Sequence, residues 1–269
     1  MKKVLCVVAF LVLAAQLPLW SYDQSPHYWQ VLPEAVWAAA TGGGTWVTQV
    51  QITNFTTTAA DINVYFYFNG GNTGSFLIYS GLDLYHSVRY SNILATIDAY
   101  DIGGTVYYGK VGAVWFWCSD AGSAIEVQAR TVNGNYGKAL PGLGVVNANT
   151  AAVGRQMVIQ DLVQTSTYRT SIGVFNSSYS ATYTVQFIII DSGNNTVGMS
   201  FSLTLAPNSF VSFNPFAQAG VPSGSYSNCW LYINPTAGGS DVRGVICYGS
   251  TANNYTNDTY ALIARMFNQ

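Results

Sequence analysis

Few side chains in this chain could take part in bond making and breaking. The only histidines are His27 and His86, the only glutamates Glu34 and Glu126. A hydrolytic triad needs a base beside a nucleophile, and histidine is the usual base near neutral pH. His27 precedes Tyr28, and His86 lies between aromatics in YHSVRY, where packing or a surface hydrogen bond accounts for each. No G-x-S-x-G elbow is present, since GVPSG from Gly220 carries its serine one place late behind a proline. Glycoside hydrolysis would need two facing carboxylates. Glu34 shares its position with Asp161 in a second, similar stretch, which points to a scaffold role such as bonding backbone amides; Glu126 alternates with Ile125 and Val127 and faces solvent. The Asx-rich stretches at Asp191, Asp241 and Asn253 to Asp258 read as turns, being too poor in charge for a calcium loop. TGGGT at Thr41 lacks the lysine and helix of a phosphate cradle and reads as a turn. Catalytic, metal-binding and cofactor-binding residues are therefore all expected to be none.

The cysteines suggest structure instead. The segment from Cys229 to Cys247 has β-rich arms around a Pro, Gly, Ser and Asp turn centred on Gly238. Folded as a hairpin it sets Cys229 opposite Cys247, where a disulfide would contribute roughly 3 kcal/mol; two buried thiols are the alternative. Cys118 then has no partner and is expected in the core. No Cys/His cluster suits a metal.

Charged residues make up only 8% of the 269 positions, whereas aromatics reach 14% and tyrosine alone counts 19. Soluble domains carry about 25% charge, so this surface must be polar mainly through Thr, Ser, Asn, Gln and Tyr. A net charge of −2 with scattered Lys and Arg excludes the electrostatic footprint of a nucleic-acid binder. Aromatics fall on both faces of some strands: Tyr65 and Tyr67 flank Phe66, and Trp115 and Trp117 flank Phe116. One set must point away from the core, so Tyr65, Tyr67, Trp115 and Trp117 form a candidate contact surface. It would face the other half of the chain, another subunit, or sugar rings.

Those residues are positioned by strands that occur twice. WVTQVQITN from Trp46 and YRTSIGVFN from Tyr168 alternate with period two, carry threonine at Thr48 and Thr170, and end on Asn54 and Asn176. Ile62, Val64, Phe66 and Phe68 then match Tyr183, Val185, Phe187 and Ile189, each run followed by a Gly/Asn turn. Phe76 and Ile78 match Phe201 and Leu203, and Asn92 and Asn214 each precede a short helical stretch, SNILATIDAY and NPFAQAG. Each copy is expected to close with a hairpin, VGAVWFWCSDAGSAIEVQARTV in the first and the cysteine segment in the second, followed by ALPGL or ALIAR. VLPEAVW and VIQDLVQ form matching lead-ins. The period of about 120 residues suits one sandwich domain. The fold class is thus all-β: two tandem antiparallel β-sandwich repeats, Ig-like or jelly-roll-like, spanning 22–150 and 151–269.

Residues 1–21 read as a signal peptide, with Lys2 and Lys3 ahead of the apolar run Val4 to Ala15. Cleavage shortly after Ala15 or near Ser21 fits, and extending the run to Trp20 leaves a retained anchor open; no other stretch is long and apolar enough to cross a membrane. The pattern of an aromatic or basic residue, Thr, an alternating strand and Asn, followed by QARTVN, a Tyr-Gly and a Leu-Pro-Gly close, resembles the tandem β-sandwich repeats of uncharacterised secreted bacterial proteins. The resemblance covers nearly all of the chain beyond the leader and implies fold and export, without an activity. The second copy departs from it at VICYGSTANN. The expected function is that of an exported, extracytoplasmic, non-enzymatic structural or surface-assembly protein acting through protein partners, including copies of itself as an oligomer or filament. The alternative is a carbohydrate-binding or adhesion module that uses exposed Tyr and Trp.

Overall fold

The computed structural model describes residues 27–40, 43–103, 105–118, 124–145, 150–221, 224–239, 243–256 and 258–267. The signal segment, Asp241, and parts of the GVPSG, TGGGT and NNYTND stretches lie outside the described residues. The chain is all-β, and the described residues form antiparallel ladders and two short helices. In residues 27–145 the strands are β1 (Trp29–Ala39), β2 (Thr45–Asn54), β3 (Ala60–Phe68), β4 (Gly71–Asn72), β5 (Phe76–Leu82), β6 (Ser87–Tyr90), β7 (Lys110–Cys118), β8 (Ile125–Asn133), β9 (Tyr136–Pro141) and β10 (Leu143–Gly144), with helix α1 (Ile93–Tyr100) between β6 and β7. In residues 150–267 they are β11 (Gln156–Gln164), β12 (Tyr168–Asn176), β13 (Tyr183–Ile190), β14 (Phe201–Leu205), β15 (Phe210–Phe213), helix α2 (Pro215–Gln218), β16 (Tyr226–Ala237), β17 (Val245–Asn253), β18 (Thr259–Ile263) and β19 (Arg265–Phe267).

The later residues build two sheets, ordered β14-β13-β16-β11-β19 and β15-β12-β17-β18. Their inward residues share one core: Ile159, Val185 and Leu231 from the five-stranded sheet meet Ile172, Val174 and Cys247 from the four-stranded one, giving a β-sandwich. The earlier residues show the same pairings, β5-β3-β7-β1-β10 and β6-β2-β8-β9. There the layers join into one sheet because β1 also pairs with β2 at Trp37↔Val47 through Ala39↔Thr45. Both expected helical stretches form, and each is capped by the asparagine before it: Asn92 accepts from the Ala95 amide, Asn214 from those of Phe216 and Ala217.

The repeated residue types have matching jobs. A β-bulge between Leu32 and Ala35, and another between Ile159 and Leu162, interrupts the ladder. Just beyond each bulge the amides of Val36 and Val163 donate to the hydroxyls of Thr48 and Thr170, at 2.8 and 2.9 Å. Each threonine in turn bonds a partner across the sheet, Thr48 with Thr131 and Thr170 with Thr251, both at 2.9 Å. Asn54 and Asn176, fully buried, tie down the loops around them. Asn54 Nδ2 donates to the carbonyls of Thr58 and Leu82, and Asn176 Nδ2 to those of Ala181, Leu205 and Ala206, while the Oδ1 atoms accept from the amides of Thr56 and Ser178. Alanine at either place leaves buried carbonyls unpaired, so Asn54→Ala and Asn176→Ala are each expected to lower unfolding free energy by about 3 kcal/mol. Urea denaturation of the two variants checks this, and a loss confined to one of them would mean the positions do different work.

Two expectations fail. Neither closing segment forms a hairpin: β7 pairs with β1 and β3 while β8 pairs with β2 and β9, and β16 and β17 likewise enter opposite sheets. Alternation shows that a strand has an inner and an outer face, and it does not show which sheet receives it. Cys229 therefore lies opposite Leu162 and Cys247 opposite Val174, so the cross-strand arrangement expected for a Cys229–Cys247 disulfide is not formed. Cys229 and Cys247 are free and buried and Cys118 is buried, and burial pushes the Cys229 and Cys247 thiols upward. Cys229 and Cys247 are expected to resist iodoacetamide in the native protein and to react once it is unfolded without reductant, as mass spectrometry would read. Labelling of neither after unfolding would restore the disulfide.

The second failure is one of register. Val64 and Phe187 both oppose the phenylalanine of the next strand, Phe76 and Phe201, and Ala60 and Tyr183 both oppose a leucine, Leu82 and Leu205. The counterpart of Val64 is thus Phe187 and that of Ile62 is Val185, two residues away from the expected match. A shift of two preserves which face is buried, so the hydrophobic pattern could not detect it.

Candidate interaction surface

The four expected contact aromatics point away from the core of residues 27–145, onto the outer face of β3 and β7. There a second apolar cluster joins Val31, Tyr67, Trp115 and Leu143 to Phe175, Phe210, Ile246 and Tyr248 of the later residues. Trp115 is 2% exposed and Tyr67 5%; Tyr65 and Trp117 are partly buried at the margin. Trp115 therefore cannot present its face to a sugar ring, because Phe175 and Tyr179 lie against it at ring separations of 6.1 and 6.0 Å. The guanidinium of Arg243 is sandwiched nearby, 4.2 Å from the Trp29 ring and 3.9 Å from that of Tyr179. This is the internal alternative weighed for these residues: the outer face of one five-stranded layer is covered by the outer face of the other four-stranded layer.

The same junction buries an ion pair. Lys138 Nζ lies 2.7 Å from each carboxylate oxygen of Glu34, with side chains 4% and 9% exposed, and donates to Ser250 Oγ at 2.6 Å. Glu34 thus meets an ammonium group where backbone amides were expected. Tyr248 packs here too, and burial, with Glu34 beside it, drives its hydroxyl well above the usual tyrosine range. Glu34 is committed to Lys138, whereas Glu126 accepts from Gln128 Nε2 at 2.7 Å on the outer face of β8, so the two glutamates serve separate roles. His27 exchanges backbone hydrogen bonds with Ile125, and His86 sits on an exposed turn 3.7 Å from Asp83. Asp191 turns its carboxylate onto its own loop, accepting from the amides of Asn195 and Gly193 at 2.8 and 2.9 Å, which holds it below the usual carboxylate range. Among the described residues no group of three or more His, Cys, Asp or Glu could hold a metal ion, and no helix is long and apolar enough to cross a membrane.

The face that the sequence reading missed belongs to the five-stranded layer of residues 150–267. Ladder registers give each of its outward residues a counterpart in the covered layer. Arg265 opposes Val158, which opposes Tyr232, just as Leu143 opposes Val31, which opposes Trp115. Tyr260 opposes Thr251 as Lys138 opposes Thr131. Asp161 stands in its bulge at φ 64°, in the place of Glu34. Here, however, Asp161 and Arg265 are exposed, and Val158, Ile188, Trp230 and Tyr232 are only partly buried. A groove of about 540 Å³ opens among Val158, Gln160, Asp161, Trp230 and Arg265. The signal was available in the strand alternation of Tyr232 and Trp230, which sit on opposite sides of buried Leu231 from its inward neighbours; what hid it was the missing sheet assignment.

No protein-family model and no curated protein matches the chain. Among solved structures it is similar to the lectin from Pleurotus ostreatus in complex with GalNAc, at 9% identity and a TM-score of 0.23, covering 93% of this chain and 87% of the lectin. It is also similar to the empty top component of cowpea mosaic virus, at 9% identity and 0.26 over 94% of each chain. A third is the C-terminal domain of a Streptococcus pyogenes antigen I/II-family protein, at 8% and 0.20 over 90% of this chain and 99% of that one. Superpositions this loose carry no functional argument.

Proposed function

We propose that this chain is an exported, non-enzymatic structural protein of two tandem β-sandwich repeats, residues 22–150 and 151–269, that works through protein–protein contacts outside the cytoplasm. The observation that carries the reading is the contrast between equivalent sheet faces: the one bearing Trp115 is sealed by the rest of the chain, while the one bearing Trp230 and Tyr232 is left open. An apolar sheet face flanked by charge is the profile of a contact surface. The repeated ladder order and the paired roles of Thr48 and Thr170, and of Asn54 and Asn176, support the tandem reading. The likeness to repeats of secreted bacterial proteins and the leader-like residues 1–21 support export. Multi-angle light scattering across a concentration series, with negative-stain imaging, tests the proposal; a strict monomer at high concentration that also captures no envelope protein would overturn it.

A carbohydrate-binding reading draws on one observation, the placement of Trp230 beside Gln160, Asp161 and Arg265 in an open groove. A polysaccharide pull-down lost on Trp230→Ala would favour it, whereas Trp115→Ala does not discriminate, since that ring is internal.

A further inference from the structure

Resting on the assembly reading, we propose that a second copy of this chain docks head to tail on the open five-stranded face, with Asp161 and Arg265 of one copy meeting Arg130 and Glu126 of the next. Within the chain, a five-stranded outer face is covered by a four-stranded outer face, an interface built from two unlike surfaces. Such a heterologous contact leaves one of each surface unused, and it can be repeated between copies. The unused five-stranded face lies in residues 150–267 and the unused four-stranded face, on β2, β6, β8 and β9, in residues 27–145.

Charge at the unused positions decides for a second copy. In the internal contact Lys138, locked to Glu34, reaches Ser250. The counterpart of Glu34 is Asp161, and the counterpart of Ser250 is Arg130, since Ser250 precedes Thr251 as Arg130 precedes Thr131 in matched ladders. Leu143 and Ile246 share the internal apolar cluster; their counterparts are Arg265 and Glu126, the latter paired to Thr53 as Ile246 is to Phe175. Both substituted positions thus offer opposite charges across the repeated contact, in a chain only 8% charged. Asp161, Arg265 and Arg130 are exposed and Glu126 partly so. Complementary charges fix register and partner more than they add affinity.

The test uses the full chain, expressed with its own N-terminal segment. Sedimentation velocity should show oligomers that weaken about tenfold or more in Asp161→Arg, where two arginines would face each other, and recover in the Asp161→Arg/Arg130→Asp exchange. Tyr260→Cys and Arg130→Cys, at the counterparts of the touching Lys138 and Ser250, should form a crosslinked dimer under mild oxidation when mixed and none when alone. Oligomers that ignore the charge reversal, or a crosslink in Tyr260→Cys by itself, would overturn the head-to-tail arrangement and leave self-assembly standing. A monomer at every concentration would overturn this proposal, and assembly with some other protein would then remain open to the separate capture experiment.

Discussion

Lys138→Met is expected to lower the free energy of unfolding by about 3–5 kcal/mol, the usual cost of removing one member of a buried ion pair. The ammonium of Lys138 contacts both oxygens of Glu34 inside a contact that excludes most water, with side-chain exposures of 4% and 9%. Methionine preserves the length and packing of the stem but leaves a buried carboxylate facing Ser250 and Tyr248. The attraction itself is not the source of the cost: two charges withdrawn from water lose solvation comparable to what their pairing returns. The double variant Glu34→Gln/Lys138→Met should therefore recover most of the loss, and a urea denaturation cycle over the four proteins measures both. A single-variant loss below about 1 kcal/mol, the range of exposed pairs, would mean that Glu34 reaches water.

Trp115→Ala is expected to cost a similar amount, about 3–5 kcal/mol, the range for removing a buried large aromatic. Its ring meets Trp29, Phe175 and Tyr179, so the cavity would open along the seam between residues 27–145 and 150–267. Loss at a seam has a second consequence that loss inside a core does not. The two sides should become less cooperative, so that fluorescence and circular dichroism transitions which coincide in the parent separate in the variant. A variant as stable as the parent would show that the seam is open in solution, and Trp115 would then return as a surface residue. Trp117→Ala, at the partly buried margin, should cost less.

The residues that made strands legible were those whose backbone and packing demands are local. Alternation at Thr48, Val50 and Ile52, and at Thr170, Ile172 and Val174, put the right side chains indoors. Asn92 and Asn214 announced helices because an asparagine that caps orphan amides acts within three residues of itself. The departure at VICYGSTANN also resolves in the ladders: Thr251 and Asn253 keep the places of Thr131 and Asn133, the inward Val127 and Ala129 become the small Cys247 and Gly249, and the outward Glu126, Gln128 and Arg130 become Ile246, Tyr248 and Ser250 on a face that is covered in the second half.

What the chain could not disclose by itself was every relation between distant segments. A period of two is unchanged by a shift of two, which displaced β13 against β3, and it is the same in any sheet, which turned crossovers such as β16 to β17 into an expected hairpin and an expected disulfide. Alternation puts Tyr65/Tyr67 and Trp115/Trp117 on the side of their strands opposite Phe66 and Phe116. Whether outward meant solvent or a neighbouring layer depended on residues some 60 to 180 positions away, and burial is a property of what arrives from elsewhere. For the same reason Lys138 passed as one of ten scattered cations until folding brought it to Glu34. Local pattern determined which residues form strands and which side of each strand is apolar; only the packed structure decided that the outer side bearing Trp115 was closed and the one bearing Trp230 was left open.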